Sequence, residues 1–261
     1  MTDRVPFGHT DLQVSRLCQG TAFRHLPRAD SPEGLAVLHH CLDQGINFFD
    51  SAQAYGWGGA EEVLGRAIAS RRDQVVICTK VPALLTPSGE GQSGQPVNYT
   101  RAHLTKCLEE SLRRLGTDYV DLYLLHHRDE ETPPAAIAEV METLVAAGKA
   151  RYWGLSNHSA VETESFLKEA RIAGVEDYYN IAGSHCDKNG RPRVAIYEEE
   201  MIPLLKRENL GCLAFSPMDT GLLAPVLPED PALAMLAASI DEVADELGTV
   251  RASVCVAWVL H

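Results

Sequence analysis

Short apolar runs alternate with longer stretches of helical periodicity along most of the chain. An apolar run of about 4–8 residues bounded by turn residues is typical of a buried strand, whereas apolar residues three and four apart indicate an amphipathic helix. The strands predicted in this way are residues 16–21, 47–50, 74–81, 119–126, 150–156, 177–182 and 211–216. The helices predicted between and after them are residues 31–45, 61–71, 100–115, 134–147, 160–173, 194–208, 231–247 and 250–260.

This alternation predicts an α/β fold in which helices connect the strands of a parallel sheet. The chain has 261 residues, close to the roughly 250 residues of a (β/α)8 TIM barrel. We expect a single domain over residues 1–261, with the polar segment 187–193 as a surface loop. Only about seven strand–helix units are visible in the pattern, whereas a closed barrel of this class has eight.

Composition and charge narrow the classes of partner. The net charge of −13 disfavours nucleic acid, because an acidic surface repels phosphates. No apolar run is long enough to span a bilayer, and the N-terminus lacks the apolar core of a signal peptide. The 7 cysteines include no C-x-x-C pair, which favours reduced thiols. We therefore expect a cytoplasmic protein that acts on a small molecule, with homo-oligomer formation left open.

Four chemically useful side chains lie at or just after the predicted strand ends. Asp50 ends the second strand, Tyr55 follows it, Lys80 lies at the end of the third strand and His126 ends the fourth. Active sites of (β/α) barrels lie at the carboxyl ends of the strands, so these side chains can converge. Because adjacent residues of a strand point to opposite faces, we expect only one of His126 and His127 to face this end.

These four residue types suit the reduction of a carbonyl group. A phenol alone has a pKa of about 10, and a neighbouring ammonium favours the phenolate. Asp50 could orient Lys80 through an ion pair, while a neutral His126 could hydrogen-bond the carbonyl oxygen. Tyr55 would donate a proton as a hydride reaches the carbonyl carbon, and its phenolate would act as the base in the reverse reaction.

Five spaced segments resemble the motifs of the aldo-keto reductases. They are GINFFDSAQAYG at 45–56, ICTKV at 77–81, DYVDLYLLH at 118–126, WGLSN at 153–157, and LAFSPM at 213–218 with GLL at 221–223. The resemblance runs in order from about residue 5 to residue 261. It implies an oxidoreductase of this family with the catalytic residues Asp50, Tyr55, Lys80 and His126.

The resemblance also implies a nicotinamide cofactor, NADPH or less often NADH, and an aldehyde, ketone or sugar substrate. The sequence has no G-x-G-x-x-G motif between a strand and a helix, as expected of a family without a Rossmann domain. The implied cofactor-binding residues are Gly20, Thr21, Ala22, Asp50, Ser156, Asn157, Asn180, Phe215, Ser216, Pro217, Met218, Gly221 and Leu222. The implied substrate residues are Phe23, Tyr55, Trp57 and His126. Ser156 and Asn157 would hydrogen-bond the carboxamide, and Phe215 would stack on the nicotinamide ring.

Several positions depart from the family pattern. Phe215 replaces the usual tyrosine, and Asn180 falls near a glutamine that contacts the carboxamide. Segment 181–192 departs most; its His185 and Cys186 have no further spaced ligands, so no metal site is predicted. The eighth strand, which carries the contacts to the adenosine 2′-phosphate, is not evident before the sequence ends. The pattern leaves open a sequence cut short, completion by a partner chain and natural truncation, and with them the choice between NADP and NAD.

Two other functions fit the same scaffold, because a fold does not fix a function. One is a cofactor-binding regulatory subunit, and the other is an inactive, truncated member of the family. The complete set of Asp50, Tyr55, Lys80 and His126 favours the enzyme over both.

Overall fold

The computed structural model describes residues 3–22, 32–82, 99–224 and 229–261. It divides into two compact units. The first comprises Met1–Val175 with Asn209–Gly211, and the second comprises Glu176–Glu208 with Cys212–His261. The single domain expected over the whole chain stays a prediction.

Parallel strands form the centre of the first unit. They are β3 (Cys18–Gly20), β4 (Phe48–Asp50), β5 (Val76–Val81), β6 (Val120–Leu125) and β7 (Ala150–Ser156), followed by the first residues of β8 (Gly174–Tyr178). Neighbours in the sheet are neighbours in the chain. Every residue of β5 and β6 is buried, as expected for strands covered on both faces.

The helices of this unit follow the strands as predicted. They are α1 (Pro32–Asp43), α2 (Gly59–Ile68), α3 (Arg101–Leu115), α4 (Pro134–Ala146) and α5 (Ala160–Leu167). Their ends have clear chemical causes. The Thr100 side chain caps the start of α3 and Gly116 ends it in the left-handed conformation, while Ser159 and Glu162 form a capping box at the start of α5.

A short antiparallel hairpin precedes the parallel strands and was not predicted. It pairs β1 (Arg4–Pro6) with β2 (Gln13–Ser15), and three-residue strands are too short for an alternating pattern to be recognised. Phe7 follows β1, and a Cβ added to Gly211 would lie 2.4 Å from its ring. The ring of Phe7 therefore packs against Gly211, where any side chain would clash with it.

The second unit contains the rest of β8 and all but the first residue of β9 (Gly211–Phe215). The carboxyl ends of these two strands meet through a hydrogen bond from Tyr179 N to Phe215 O (3.5 Å). Its helical segments are α6 (Arg193–Ile196), a π-helical turn at Tyr197–Met201, α7 (Ile202–Glu208), α8 (Pro231–Glu246) and α9 (Arg251–Leu260). A small core of Leu223, Ala237, Ile240 and Cys255 joins α8 to α9.

Among the described residues, seven parallel strands in chain order confirm the predicted α/β fold and the seven units visible in the sequence. Among the elements whose bounds or type differ from the prediction, three stand out. The strand predicted at 177–182 is Gly174–Tyr178, because the buried run includes the Gly and Val that precede two acids. The helix predicted at 160–173 ends at Leu167, and the one predicted at 194–208 contains the π-helical turn.

Candidate active site

The side chains of Asp50, Lys80 and Tyr55 meet at the carboxyl ends of β4 and β5. The Lys80 ammonium is fully buried; it forms an ion pair with Asp50 Oδ1 and donates to Ser51 O (3.1 Å) and Tyr55 Oη (3.3 Å). The same nitrogen lies 5.0 Å from the centre of the Tyr55 ring. The phenol oxygen thus sits beside a cation that a carboxylate holds in place.

Strand geometry explains why Lys80 points to this site and Thr79 does not. Adjacent residues of β5 point to opposite faces. The Thr79 hydroxyl donates to Glu61 Oε1 (2.6 Å), and the other oxygen of that buried carboxylate accepts from Arg114 Nε (2.6 Å). The polar contacts between β5, α2 and α3 therefore fix the strand from behind the site.

His126 lies beside Tyr55, with the ring centroids 5.9 Å apart in an edge-on arrangement. Burial, the Lys80 ammonium and His127 hold the pKa of the His126 imidazole well below its usual range, so the ring is neutral at neutral pH. Its Nδ1 is buried and forms no hydrogen bond among the described residues. The ring is therefore equipped for hydrogen bonding to a small molecule.

The expectation that His126 and His127 point to opposite faces was wrong. Their rings stack with centroids 4.7 Å apart and planes only 5° from parallel. Strand β6 ends at Leu125, so the alternation of a strand no longer applies to these two residues.

The predicted cofactor residues of the first unit lie around the same strand ends. Gly20 pairs with Asp50 in the sheet register, and a Cβ built on Gly20 would meet no atom of the described part of the chain within 4 Å. The Thr21 hydroxyl donates to Ser51 Oγ (2.9 Å), and Ala22 is exposed. These contacts tie the end of β3 to the segment that carries Asp50.

Ser156 is the last residue of β7, and Asn157 follows it. Asn157 has a left-handed backbone (φ 61°), and its amide nitrogen donates to Ser156 Oγ (3.0 Å) and His126 O (3.1 Å). Ser156 is buried. The amide of Asn157 therefore links the end of β7 to the backbone of the histidine.

Of the predicted substrate residues Trp57 and Phe23, only Trp57 lies in the described part of the chain. Trp57 is 57% exposed and, with φ 59°, lies in the turn Tyr55–Gly58 that follows β4. Phe23 lies outside the described residues. Tyr55 and His126 are therefore the predicted substrate residues with a described position beside Lys80.

In the second unit, the predicted cofactor residues follow β8 and β9. Asn180 is fully buried; its Nδ2 donates to Ser216 O (3.0 Å), and its Oδ1 accepts from Ala182 N (3.0 Å) and Gly183 N (2.9 Å). These bonds give its amide a structural task, and the cofactor contact of Asn180 stays a prediction.

The loop after β9 bends through left-handed conformations at Ser216 and Gly221 (φ 59° and 100°). Phe215 lies edge-on to Tyr178, with centroids 6.2 Å apart. The other predicted residues of this loop are Pro217 and Met218, both partly buried, and Leu222, which is 43% exposed. The Asp219 carboxylate, fully buried, accepts from Tyr178 Oη and anchors the loop.

Sequence reasoning missed several residues near the strand ends. Glu176 and Asp177 are buried acids on β8, and they were overlooked because the strand was placed three residues too late. Tyr99 was missed as well: its hydroxyl contacts the backbone of His127. His158 is buried after β7, and the sequence carried no signal that distinguishes it from an exposed histidine.

Known proteins show similarity along most of the chain. The sequence model of the "Aldo/keto reductase family" matches residues 16–261. An "uncharacterized oxidoreductase" of Bacillus subtilis (strain 168) is 33% identical over 97% of this chain and 82% of its own. A "probable voltage-gated potassium channel subunit beta" of Oryza sativa subsp. japonica is 33% identical over 83% of this chain and 64% of its own.

The fold has solved counterparts. The crystal structure of an aldo/keto reductase from Klebsiella pneumoniae in complex with NADP and acetate superposes with a TM-score of 0.76. The two sequences are 29% identical, and the match covers 100% of this chain and 82% of the other. This likeness confirms the predicted (β/α)8 fold class. Within the described part of the chain no helix has the length and apolarity to cross a membrane, and the cytoplasmic location stays a prediction.

Proposed function

The chain belongs to the aldo/keto reductase family, and we propose that it reduces an aldehyde, ketone or sugar carbonyl with NADPH, Tyr55 acting as the general acid. The observation that carries this proposal is the contact of the Lys80 ammonium with both Asp50 and the Tyr55 hydroxyl. A phenol that hydrogen-bonds a buried cation is suited to give up a proton to a substrate oxygen.

The roles of the four residues follow from their contacts. The chemistry that a bound reduced nicotinamide supplies is hydride transfer to the carbonyl carbon. Tyr55 donates its hydroxyl proton to the carbonyl oxygen, and the Lys80 ammonium stabilises the phenolate that remains. Asp50 holds Lys80 in position, and the neutral His126 ring hydrogen-bonds the carbonyl oxygen. The phenolate regains its proton from solvent, so one hydride and one proton convert the carbonyl to an alcohol.

The residues at the strand ends fit a nicotinamide cofactor. A Cβ on Gly20, the register partner of Asp50, would meet no atom of the described residues within 4 Å, and the buried Nδ1 of His126 lacks a hydrogen-bond partner among the same residues. In the first unit Ser156 and Asn157 would hold the carboxamide. The cofactor roles that the resemblance implies for Phe215 and for the loop from Ser216 to Leu222 in the second unit stay predictions. Asn180 supports that loop through the bonds of its amide to backbone groups.

Oxidation of NADPH, followed by its absorbance with a panel of aldehydes, ketones and sugars, tests the proposal. Tyr55→Phe should lower kcat about 10²–10⁴-fold, the usual contribution of a general acid, while the Kd for NADPH changes less than about twofold. Tyr152→Phe is the matched control, because this phenol bonds Asp11 at the other end of the strands. Turnover by Tyr55→Phe within about threefold of wild type would exclude Tyr55 as the acid.

A second candidate function is a cofactor-binding regulatory subunit. The similarity to the rice protein named as a potassium channel subunit beta favours it. Tight NADPH binding without turnover of any compound in the panel would favour this candidate. Absence of cofactor binding would instead favour an inactive member of the family.

A further inference from the structure

The rings of the adjacent residues His126 and His127 stack face to face, whereas adjacent side chains in a strand point to opposite faces. The rings lie 4.7 Å apart and 5° from parallel. His126 is partly exposed and His127 exposed, and the ring of His127 covers one face of its neighbour. This contact has no role in the proton transfer proposed above.

The backbone of the pair is held by three different segments of the chain. His126 N donates to Val81 O at the end of β5 (3.3 Å), and His126 O accepts from Asn157 at the end of β7 (3.1 Å). The buried Tyr99 hydroxyl accepts from His127 N (3.2 Å) and donates to His127 O (2.9 Å). With the backbone held in this way, only rotation about the side-chain bonds remains to orient the two rings.

An active-site imidazole is commonly oriented by a hydrogen bond to its second ring nitrogen. In His126 the Nδ1 atom is buried and bonds to none of the described residues. The described ring contacts of His126 are the stacked ring of His127 and the roughly perpendicular ring of Tyr55. The flat face of His127 is thus the contact available to fix the plane of the His126 ring.

We propose that His127 is a positioning residue, which sets the ring plane of His126 by stacking and thereby aims its N–H at the substrate oxygen; this rests on the function proposed above. Stacking needs a flat ring and no charge. Phenylalanine can therefore replace His127, whereas alanine cannot.

The groups that face His126 determine how its protonation should respond. They are Lys80 from β5, Tyr55 from the turn after β4, and His127. Burial is the largest cause of the lowered pKa of His126. Removing the ring of His127 admits water, so the pKa of His126 should rise towards its ordinary value, whereas a phenyl ring keeps water out.

The test compares His127→Ala, His127→Phe and the control His39→Ala, which removes an exposed histidine of α1. His127→Ala should lower kcat about 10- to 100-fold, as small misplacements of catalytic groups do, without changing the Kd for NADPH. As the pH is lowered, kcat/KM of this variant should begin to fall at a higher pH than kcat/KM of wild type, because the His126 ring is protonated earlier. His127→Phe should keep kcat within about threefold and leave the profile in place.

An NMR titration of the His126 imidazole gives a reading that does not depend on turnover. We expect the resonance to titrate at higher pH in His127→Ala and not in His127→Phe. The inference is overturned if the alanine variant matches wild type in both measurements, or if the phenylalanine variant is impaired as much as the alanine variant. Failure of the proposed function would give a different result: either Tyr55→Phe turns over as fast as wild type, or wild type shows no turnover. The NMR titration of His126 does not require turnover, so it tests the stacking contact in either case.

Discussion

The parallel strands of the first unit carry a buried ion pair at each end, and the two pairs have different surroundings. At the carboxyl ends, the Lys80 ammonium bonds Asp50, a backbone carbonyl and the Tyr55 phenol. At the amino ends, Asp121 accepts from Arg72 (2.8 Å), Arg151 (3.0 Å) and the backbone of Ile77 (2.9 Å). Both pairs are buried on the same sheet, so burial alone does not identify a catalytic pair.

The groups that each cation contacts make the difference. Arg72 also donates to Thr117 Oγ1, Val75 O and Tyr119 O, and its guanidinium lies 4.0 Å from the centre of the Tyr119 ring. All of these partners are fixed parts of the fold. Lys80 instead contacts a phenol whose proton can leave, next to the neutral His126. We infer that the amino-end pair stabilises the fold and that the carboxyl-end pair supports chemistry, as is general for barrels.

The largest effect is expected from removing the carboxyl-end pair as a unit. The double variant Asp50→Asn with Lys80→Met takes away both charges, so neither is left buried without its counterion. Turnover should fall about 10³-fold or more, because the Tyr55 phenolate loses its cation. The free energy of unfolding should change by about 1 kcal/mol or less, since apolar or neutral replacements of buried pairs are often nearly neutral.

Steady-state kinetics and urea unfolding on the same preparation measure both quantities. Circular dichroism of the folded variant serves as the control for structure. Turnover within tenfold of wild type would contradict the catalytic role assigned to this pair. A large loss of unfolding free energy would show that this pair, like the one at the amino ends, mainly stabilises the fold.

The reverse result is expected at the amino ends. Arg72→Met leaves the Asp121 carboxylate, whose side chain is 2% exposed, with one cation fewer. Breaking one side of such a network should lower the free energy of unfolding by about 3 kcal/mol. The kcat of the folded protein should stay within about twofold, because the change lies at the end of the strands away from Tyr55.

Arg71→Met is the matched control for this variant. Its ion pair with Asp43 is on the surface, with 44% and 63% of the side chains exposed, so it should change stability by less than about 1 kcal/mol. Equal losses from Arg71→Met and Arg72→Met would show that the buried network is not special.

The sequence predicted the carboxyl-end site better than the amino-end one. Asp50, Lys80 and His126 could be placed because each ends an apolar run, and strand ends of a parallel sheet share one edge. The network of Arg72, Asp121 and Arg151 connects three strands through residues that look like ordinary surface charges in the sequence. No periodic pattern encodes which arginine reaches which carboxylate.

The errors at β6 and β8 have the same cause as the missed arginine network: each depends on packing that the local sequence does not encode. The stacking of His126 and His127 depends on where β6 stops, and a shift of one residue decides whether strand alternation applies. The position of β8 was wrong because the apolar run from Ile172 to Val175 is followed by the acids Glu176 and Asp177, which usually favour a loop. Burial of those acids is a property of the packed sheet and not of the local sequence.

A smaller effect, about 2 kcal/mol, is expected to distinguish the two ends by their response to acid. His158 lies just after β7 at the site end, and its Nδ1 is 2.8 Å from Ser156 O. Burial lowers the pKa of His158 to about 4, against the opposing effects of the Ser156 carbonyl and Glu162. In the unfolded chain a histidine titrates near its ordinary value of about 6.5.

The sign of the effect follows from proton binding. Between about pH 6.5 and 4 the unfolded chain binds a proton at His158 that the folded protein does not. Stability therefore falls as the pH falls through this window, by about 2 kcal/mol between pH 7 and pH 5. His158→Gln keeps an N–H for the Ser156 carbonyl and cannot titrate, so its unfolding free energy should fall less over the same interval.

Urea unfolding at pH 7 and pH 5 measures the difference, with His39→Gln as the control for loss of an exposed histidine. If wild type, His158→Gln and His39→Gln lose the same stability on acidification, then His158 is not the acid-sensitive group of the site end. If His158→Gln alone loses less unfolding free energy between pH 7 and pH 5, the acid response is assigned to His158 and the two ends of the strands differ in this property too. The carboxyl ends of the strands would then carry both the proposed chemistry and a buried histidine that weakens the fold in acid, while the amino ends hold their charges in a saturated network.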